Sequence, residues 1–342
     1  MSPIGVDIGS RSVKLVQLDG ERTHLHELVR WELPEEADKS PEGRKKAIVE
    51  ALVAAQQGRD FRGSEAVLCL GPRDLYLQNI RVPKTNGPEF ERHIHQEIAG
   101  RLPFPVAETE IRYLEAADVR QGESVVREVI VLACHRPVLQ QLLDAVEEAG
   151  LRPVGVDAEP IALLRAYVKQ YRRDEDRKQR VMYVHIGHTR TNVVVSEGET
   201  VLFLKYVDIG GKQLDEAVAR HLKMPIADAA ALRRNNGDRR SDMQNPEITR
   251  SVAEAIRPVM ERLASELSLC IRYHSVTFRG QPLVRLVLGG GEASSSLMEF
   301  LGRRLDLKCE VGEPLRTMNV TQRPSREAQW DVATGLALWE VT

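Results

Sequence analysis

The stretch Ile4-Gly5-Val6-Asp7-Ile8-Gly9-Ser10-Arg11-Ser12-Val13-Lys14 decides the fold. Ile4, Val6 and Ile8 alternate with Gly5 and Asp7, the period of a strand with one apolar face. A small polar turn follows from Gly9 to Ser12, and Val13, Leu15, Val16 and Leu18 resume the strand pattern, so the whole reads as a hairpin. The turn offers successive backbone N–H groups with no bulky side chain at Gly9, a concavity that can wrap a phosphate. Asp7 stands just before it, where a carboxylate can hold a water of a phosphate-bound Mg²⁺. Lys14, two residues beyond the turn, is a candidate point charge on phosphate. Taken alone, the same residues read first as an ordinary hairpin with an ordinary aspartate.

The theme returns in the second half. A strand with Val181, Tyr183 and Ile186 runs into Gly187-His188-Thr189-Arg190-Thr191, another strand covers 192–196, and a third covers 201–207. This is a weak internal repeat, with His185 where the first copy has Asp7. Gly210-Gly211-Lys212 leads into a helix over 213–222. A third glycine feature, Gly289-Gly290-Gly291-Glu292, follows an apolar strand over 283–288. Glycines there let a nucleotide lie close to the backbone, and the next helix N-terminus favours an anion. A tight turn needing positive φ reads the same way. Three such features in this order are more specific than any one.

Outward from these turns, the pattern predicts a strand over 23–33, a proline-containing loop over 34–44, a helix over 45–57 and a strand over 66–70. A helix over 88–102, strands over 111–117 and 127–134 and a helix over 137–149 look like an inserted small domain. A strand over 154–157 and a helix over 160–170 return to the main pattern. The mixed charges of 171–180 read as a hinge. Helices are expected over 227–234, 246–273 and 295–305. A last one over 326–339 places Trp330, Ala333, Leu336 and Ala337 on one face, against the first half.

The composition is that of a globular chain of more than one subdomain: 342 residues, 42% hydrophobic and 29% charged. Lys and Arg total 48 against 50 Asp and Glu, a net charge of -2, so no basic excess points to nucleic acid or to an anionic membrane. No apolar run is long enough to cross a bilayer, and the first residues lack the pattern of a signal peptide. The single, scattered Cys69, Cys134, Cys270 and Cys309 argue against a zinc site or disulfide framework and suit a reducing cytoplasm.

Together these residues resemble the actin/hexokinase/Hsp70 ATPase superfamily. Within it the chain is most similar to the PilM family of type IV pilus assembly proteins, relatives of the cell-division protein FtsA. The opening motif matches the family's first phosphate motif, and His185-Ile186-Gly187 to Asn192 occupies the second. Glu97 to Phe104 (EIAGRLPF), ending in Pro105, resembles its small-domain signature. Ala149-Gly150-Leu151 to Leu163, with Glu159-Pro160 inside it, resembles the return into the main domain. Ile209-Gly210-Gly211 and Leu288 to Glu292 complete the set.

The resemblance implies an α/β actin-like ATPase fold: two duplicated RNase H-like lobes around a nucleotide cleft, with inserted small subdomains 1C and 2B. The expected divisions are 1–83 (1A), 84–152 (1C), 153–180 (1A and hinge), 181–211 (2A), 212–282 (2B) and 283–342 (2A and the last helix). It implies ATP as ligand with Mg²⁺ held through water by Asp7. Gly9, Ser10, Arg11, Ser12 and Lys14 would face the phosphates, and Gly187 and Thr189 would close from the other side. Gly210, Gly211 and Lys212 belong to the same set. Gly289, Gly290, Gly291 and Glu292 would lie under the adenosine, with Arg233 approaching the adenine.

The superfamily usually has Asp where His185 stands. A neutral imidazole offers neither the charge nor the oxygen that Mg²⁺ prefers, so at most weak ATP hydrolysis is expected. The implied role is a cytoplasmic adaptor that docks the N-terminal cytoplasmic peptide of a PilN-like bitopic membrane protein in a groove between 1A and 1C, lined from about residue 82 to 113. It would sit at the inner face of the inner membrane through that partner, with self-association open and no nucleic acid involved. Two rivals remain: an FtsA-like filament former, disfavoured because no basic amphipathic tail is seen, and a sugar kinase, for which no general-base Asp motif is apparent. His93 and His95 point to different sides of a helix and make a poor metal pair. His24 and His26 share an exposed strand face. Arg233, Arg234, Arg239 and Arg240 surround a loop without the aromatics that nucleic-acid contact needs.

Overall fold

The computed structural model describes the chain except residues 36, 38, 39, 172, 239–244, 279, 341 and 342, and the backbone alone of 236–238. Arg239 and Arg240 therefore lie outside the described residues.

The opening motif forms the expected hairpin. Strand β1 (Ile4–Ile8) pairs antiparallel with β2 (Ser12–Leu18), with Asp7 opposite Lys14. Strand β3 (Leu25–Glu32) pairs antiparallel with β2. The chain then enters helix α1 (Pro41–Gln56), four residues earlier than the sequence pattern indicates. Ser40 caps it by accepting the Gly43 N–H at 3.0 Å, and Pro41 fits the first helical turn, where its missing N–H costs nothing. Strands β4 (Glu65–Leu70) and β8 (Arg152–Ala158) continue the sheet in parallel, giving the order β3-β2-β1-β4-β8.

The second half repeats this sheet. Strands β9 (Arg180–Ile186), β10 (Thr191–Glu197) and β11 (Thr200–Val207) form the antiparallel part. Strands β12 (Leu283–Gly289) and β13 (Cys309–Val311) add in parallel, in the order β11-β10-β9-β12-β13. The two orders correspond strand for strand, so the weak sequence repeat is a duplicated fold. Strand β13 has three residues and no sequence signal. Its place is set by parallel pairing with Leu286 to Leu288.

A third sheet, order β5-β7-β6, lies between β4 and helix α3 (Arg136–Glu148). It contains β5 (Tyr76–Pro83), β6 (Thr109–Gln121) and β7 (Ser124–His135), with helix α2 (Pro88–Ala99) packed on one face. The expected boundary at residue 83 is therefore displaced: β5 pairs along its whole length with β7 and belongs to the small sheet. Conversely, α3 packs against α1 and buries Ala145 and Val146 in the core of the first sheet, so it belongs to that lobe. Phe90, Ile94 and Ile98 of α2 fill a core with Ile80, Val82, Val129 and Val131. The opposite face of the sheet buries Ile130 and Leu132 in a cluster that runs on to Tyr183 and Val194 of the second lobe.

Helices α4 (Glu159–Val168), α6 (Gly211–Leu222), α7 (Ile226–Asp238), α8 (Pro246–Thr277) and α9 (Ser295–Leu305) complete the layers, with a short α5 (Asp174–Arg177) inside the charged connector. The expected last helix is broken into a 3₁₀ turn, Glu327–Trp330, and α10 (Asp331–Ala337). Trp330, Ala333 and Ala337 pack on Val16 and Leu18 of the first lobe, as their spacing indicates. Among the described residues, no helix is long and apolar enough to cross a membrane.

Candidate functional site

The duplicated hairpin turns meet across a cleft of about 450 Å³ between the lobes. Asp7, the turn Gly9 to Ser12 and Lys14 line it from the first lobe. Gly187 and Thr189 line it from the second, and Gly291 and Glu292 from the third glycine feature. Two contacts tie the walls together: Arg190 donates to the Pro72 carbonyl, and Arg11 lies 3.8 Å from Asp215. Eight Lys and Arg side chains and His185 border the cleft, against the carboxylates Asp7, Glu32, Asp74, Glu159 and Glu292. In a chain of net charge -2, that is a local positive excess, and a concave wall focuses it on anions.

The remaining candidates stand behind these walls. The Gly211 N–H donates to the Gly187 carbonyl at 3.0 Å and the Lys212 N–H to the His188 carbonyl at 2.7 Å. The first amides of α6 thus brace the second turn rather than facing the cleft, and Gly210 packs its Cα against the same carbonyls. Gly290, at φ +86°, turns its N–H onto Asp331 Oδ2 at 3.0 Å, and a Cβ on Gly289 would fall 2.2 Å from that oxygen. Of the three glycines, only Gly291 opens onto the cleft. Arg233 is held by Glu292 at 2.5 Å and Asp215 at 2.8 Å, with its side chain 11% exposed.

His185 has the least expected surroundings. Its Nδ1 lies 3.0 and 2.9 Å from the two oxygens of Asp331, which is fully buried at the start of α10. Glu159, at the start of α4, puts Oε1 4.0 Å from Nε2. Burial opposes a charge on the ring, but the Asp331 carboxylate outweighs it through charge and hydrogen bond, and the His185 pKa rises to about 9. The expected neutral imidazole is therefore an imidazolium. Burial also lifts Glu159 to about 7, with His185 pulling the other way. Sequence reasoning missed both carboxylates as site residues. Glu159 had a signal, as an acid on the first turn of a helix leaving a strand. Asp331 had none, because it is 146 positions from its histidine.

Both shifts have the same sign for stability. His185 binds its proton more tightly folded than unfolded, so its contribution is complete below pH 6.5 and disappears as pH rises through about 9. Glu159 is also raised, so its contribution is present below pH 4.5 and disappears through about pH 7. Urea unfolding should show the wild-type chain losing about 2–3 kcal/mol from His185 between pH 7 and pH 10. His185→Gln should flatten that part of the profile, and an unchanged slope in the variant would show that other groups cause it.

Two matching sheets, each with a glycine turn at the mouth of a shared cleft, define a protein of the actin-like ATPase fold. The family model for type IV pilus assembly protein PilM matches residues 5–341. The chain belongs to the PilM family. A solved PilM–PilN type IV pilus biogenesis complex is 25% identical, with 99% of this chain and 98% of that chain covered and a TM-score of 0.79. The ethanolamine utilization protein EutJ of Carboxydothermus hydrogenoformans shares the fold at 16% identity and TM-score 0.59, over 99% of this chain and 90% of its own. A Bacteroides thetaiotaomicron protein with an actin-like ATPase fold does so at 10% identity and TM-score 0.50, over 98% and 95%.

Proposed function

We propose that this chain is a nucleotide-binding adaptor of type IV pilus assembly that binds ATP in the cleft and docks a short peptide of a PilN-like membrane protein. The observation that carries the nucleotide part is the pair of glycine turns facing each other across a positively bordered cleft. The partner part is supported by family membership and by the likeness to a PilM–PilN complex over nearly both chains. The small sheet and α2 are the part of the chain inserted into an otherwise duplicated fold. We assign the peptide to a groove between that part and the first lobe, lined between about residues 82 and 113. Phe104, within that span, is stacked on His135 with ring centroids 5.4 Å apart. Such a protein would reach the inner face of the inner membrane through its partner, in the cytoplasm, and turn ATP over weakly at most.

The Mg²⁺ expected on Asp7 is a different matter. Asp7 Oδ2 already accepts from Lys14 Nζ at 2.7 Å. At the equivalent place on the other turn stands a cationic imidazole. Among the described residues, no group of three or more His, Cys, Asp or Glu side chains is arranged to hold a metal ion. Mg²⁺ prefers oxygen ligands and an anionic surrounding, so these residues do not fit it. Nothing in the function proposed here runs through a divalent ion.

The test has two arms on the full chain. ATP should raise the melting temperature, because a ligand bound only to the folded state stabilises by RT ln(1 + [L]/Kd). The N-terminal cytoplasmic peptide of a PilN-like protein from the same source should bind in fluorescence anisotropy. Arg92→Glu and His95→Glu, on the exposed side of α2, should weaken it. Absence of any thermal response at millimolar ATP removes the first claim. Peptide binding unchanged by both substitutions, with the fold intact, moves the groove elsewhere.

A further inference from the structure

The two hairpin turns are equivalent in topology and differ in charge. On the first, Asp7 faces Lys14 across the strands and the pair closes on itself at 2.7 Å. On the second, His185 faces Asn192, and Asn192 faces Tyr206 on the next strand. Paired residues point to the same side of a sheet, so these three side chains share one face. Asp331 takes the Nδ1–H of His185 and fixes the ring. Nε2 then sits under the second turn, 3.8 Å from where a Cβ on Gly187 would be.

Nε2 makes no hydrogen bond among the described residues; the nearest carboxylate oxygen, Glu159 Oε1, is 4.0 Å away. Both amide atoms of Asn192 and the Tyr206 hydroxyl, on the same face of the sheet but not on the wall of the cleft, are also buried without a partner. Buried polar atoms are nearly always satisfied, so the unused Nε2 of an anchored, buried ring on the wall of the cleft asks for an acceptor there.

We propose, resting on the nucleotide reading above, that the cleft holds the terminal phosphate of its nucleotide on two fixed protein cations, His185 and Lys14, and binds free ATP without a divalent metal. His185 Nε2–H donates to a phosphate oxygen from the second lobe, and Lys14, whose ammonium keeps N–H donors beyond the one it gives Asp7, donates from the first. The charge state of the ring agrees, since Asp331 holds it protonated across neutral pH. A charge-assisted N–H to phosphate is among the stronger hydrogen bonds, and one imidazolium replaces part of the charge that a metal would bring.

The experiment measures ATP binding to the full chain by calorimetry and thermal shift, in EDTA and in excess MgCl₂. The wild-type chain should bind at least as tightly in EDTA as with Mg²⁺. His185→Asp should bind about ten- to a hundredfold more weakly in EDTA and recover with Mg²⁺. His185→Gln, which keeps size but not charge, should lose affinity in both media, and each titration is run below that variant's own melting temperature. Wild-type binding that requires Mg²⁺ overturns the inference while leaving the nucleotide reading intact. Silence in both media overturns both. Metal-free binding by His185→Asp as tight as wild type removes His185 from the site.

Discussion

Replacing Asp331 with alanine should lower the stability of the folded chain by about 3–5 kcal/mol, the range for breaking a buried ion pair from one side. The side chain is fully buried and does three things at once. It accepts from His185 Nδ1 at 2.9 Å, from the Gly290 N–H at 3.0 Å and from the Val332 N–H at 2.8 Å. The first two donors belong to the second lobe, whereas α10 packs on α4, β1 and β2. The substitution therefore unties the last helix from the second lobe as well as stranding a charge. Gly290 retains the Ala328 carbonyl at 3.0 Å, so the larger part of the loss falls on His185. Without its carboxylate the buried ring should shed its proton, and the His185 pKa should fall below the usual 6.5. Urea denaturation gives the free energy, and imidazole titration by NMR gives the shift. In a double-mutant cycle, His185→Gln should be nearly silent on the Asp331→Ala background. A loss under 1 kcal/mol, or additive losses, would mean that the pair is not a structural tie.

Gly335→Ala is the second large effect. A Cβ at Gly335 would sit 1.8 Å from the carbonyl oxygen of Ala162, 2.6 Å from its carbon and 3.2 Å from its Cα. These are backbone atoms of α4, which cannot swing aside as a flexible side chain would. Alanine in a helix gains about 1 kcal/mol over glycine, but forcing apart a tight helix crossing costs about 1–3 kcal/mol and occasionally more. Here the overlap exceeds an ordinary contact by more than an ångström, so the steric term wins, and a net loss of about 2 kcal/mol or more is expected. The Arg165 guanidinium also donates to the Gly335 carbonyl at 2.9 Å, and that bond is displaced with it. Gly100→Ala is the control, because nothing lies within 4 Å of its Cβ position and its φ of -81° suits alanine. Equal melting temperatures for the two variants would refute the crossing as a close-packed joint.

The two hairpins were legible because their signal is local. Alternation from Ile4 to Leu18 and from Val181 to Ser196 dictates strands, and the glycine turns between them can only reverse the chain. Strand β5 was not legible, although Tyr76–Pro83 is long, because its partner β7 lies about fifty residues away and its Pro83 reads as an ending. Strand β13 is held by pairing alone. The break before α10 is equally silent in the pattern, since the apolar spacing continues through Trp330.

By itself the sequence determined that two strand–turn–strand units occur in one chain, that a polar turn ends each first strand, and that a histidine stands in the second where an aspartate stands in the first. Those are properties of neighbours along the chain, and local sterics and periodicity suffice for them. The tertiary structure alone decided what those residues mean. It brought Asp331 to His185 and made the ring a cation, closed Asp7 onto Lys14, and used Gly289 and Gly290 for packing while leaving Gly291 to the cleft. Charge state and donor availability depend on which groups lie within a few ångströms, and residues more than a hundred positions apart become neighbours only when the core is packed.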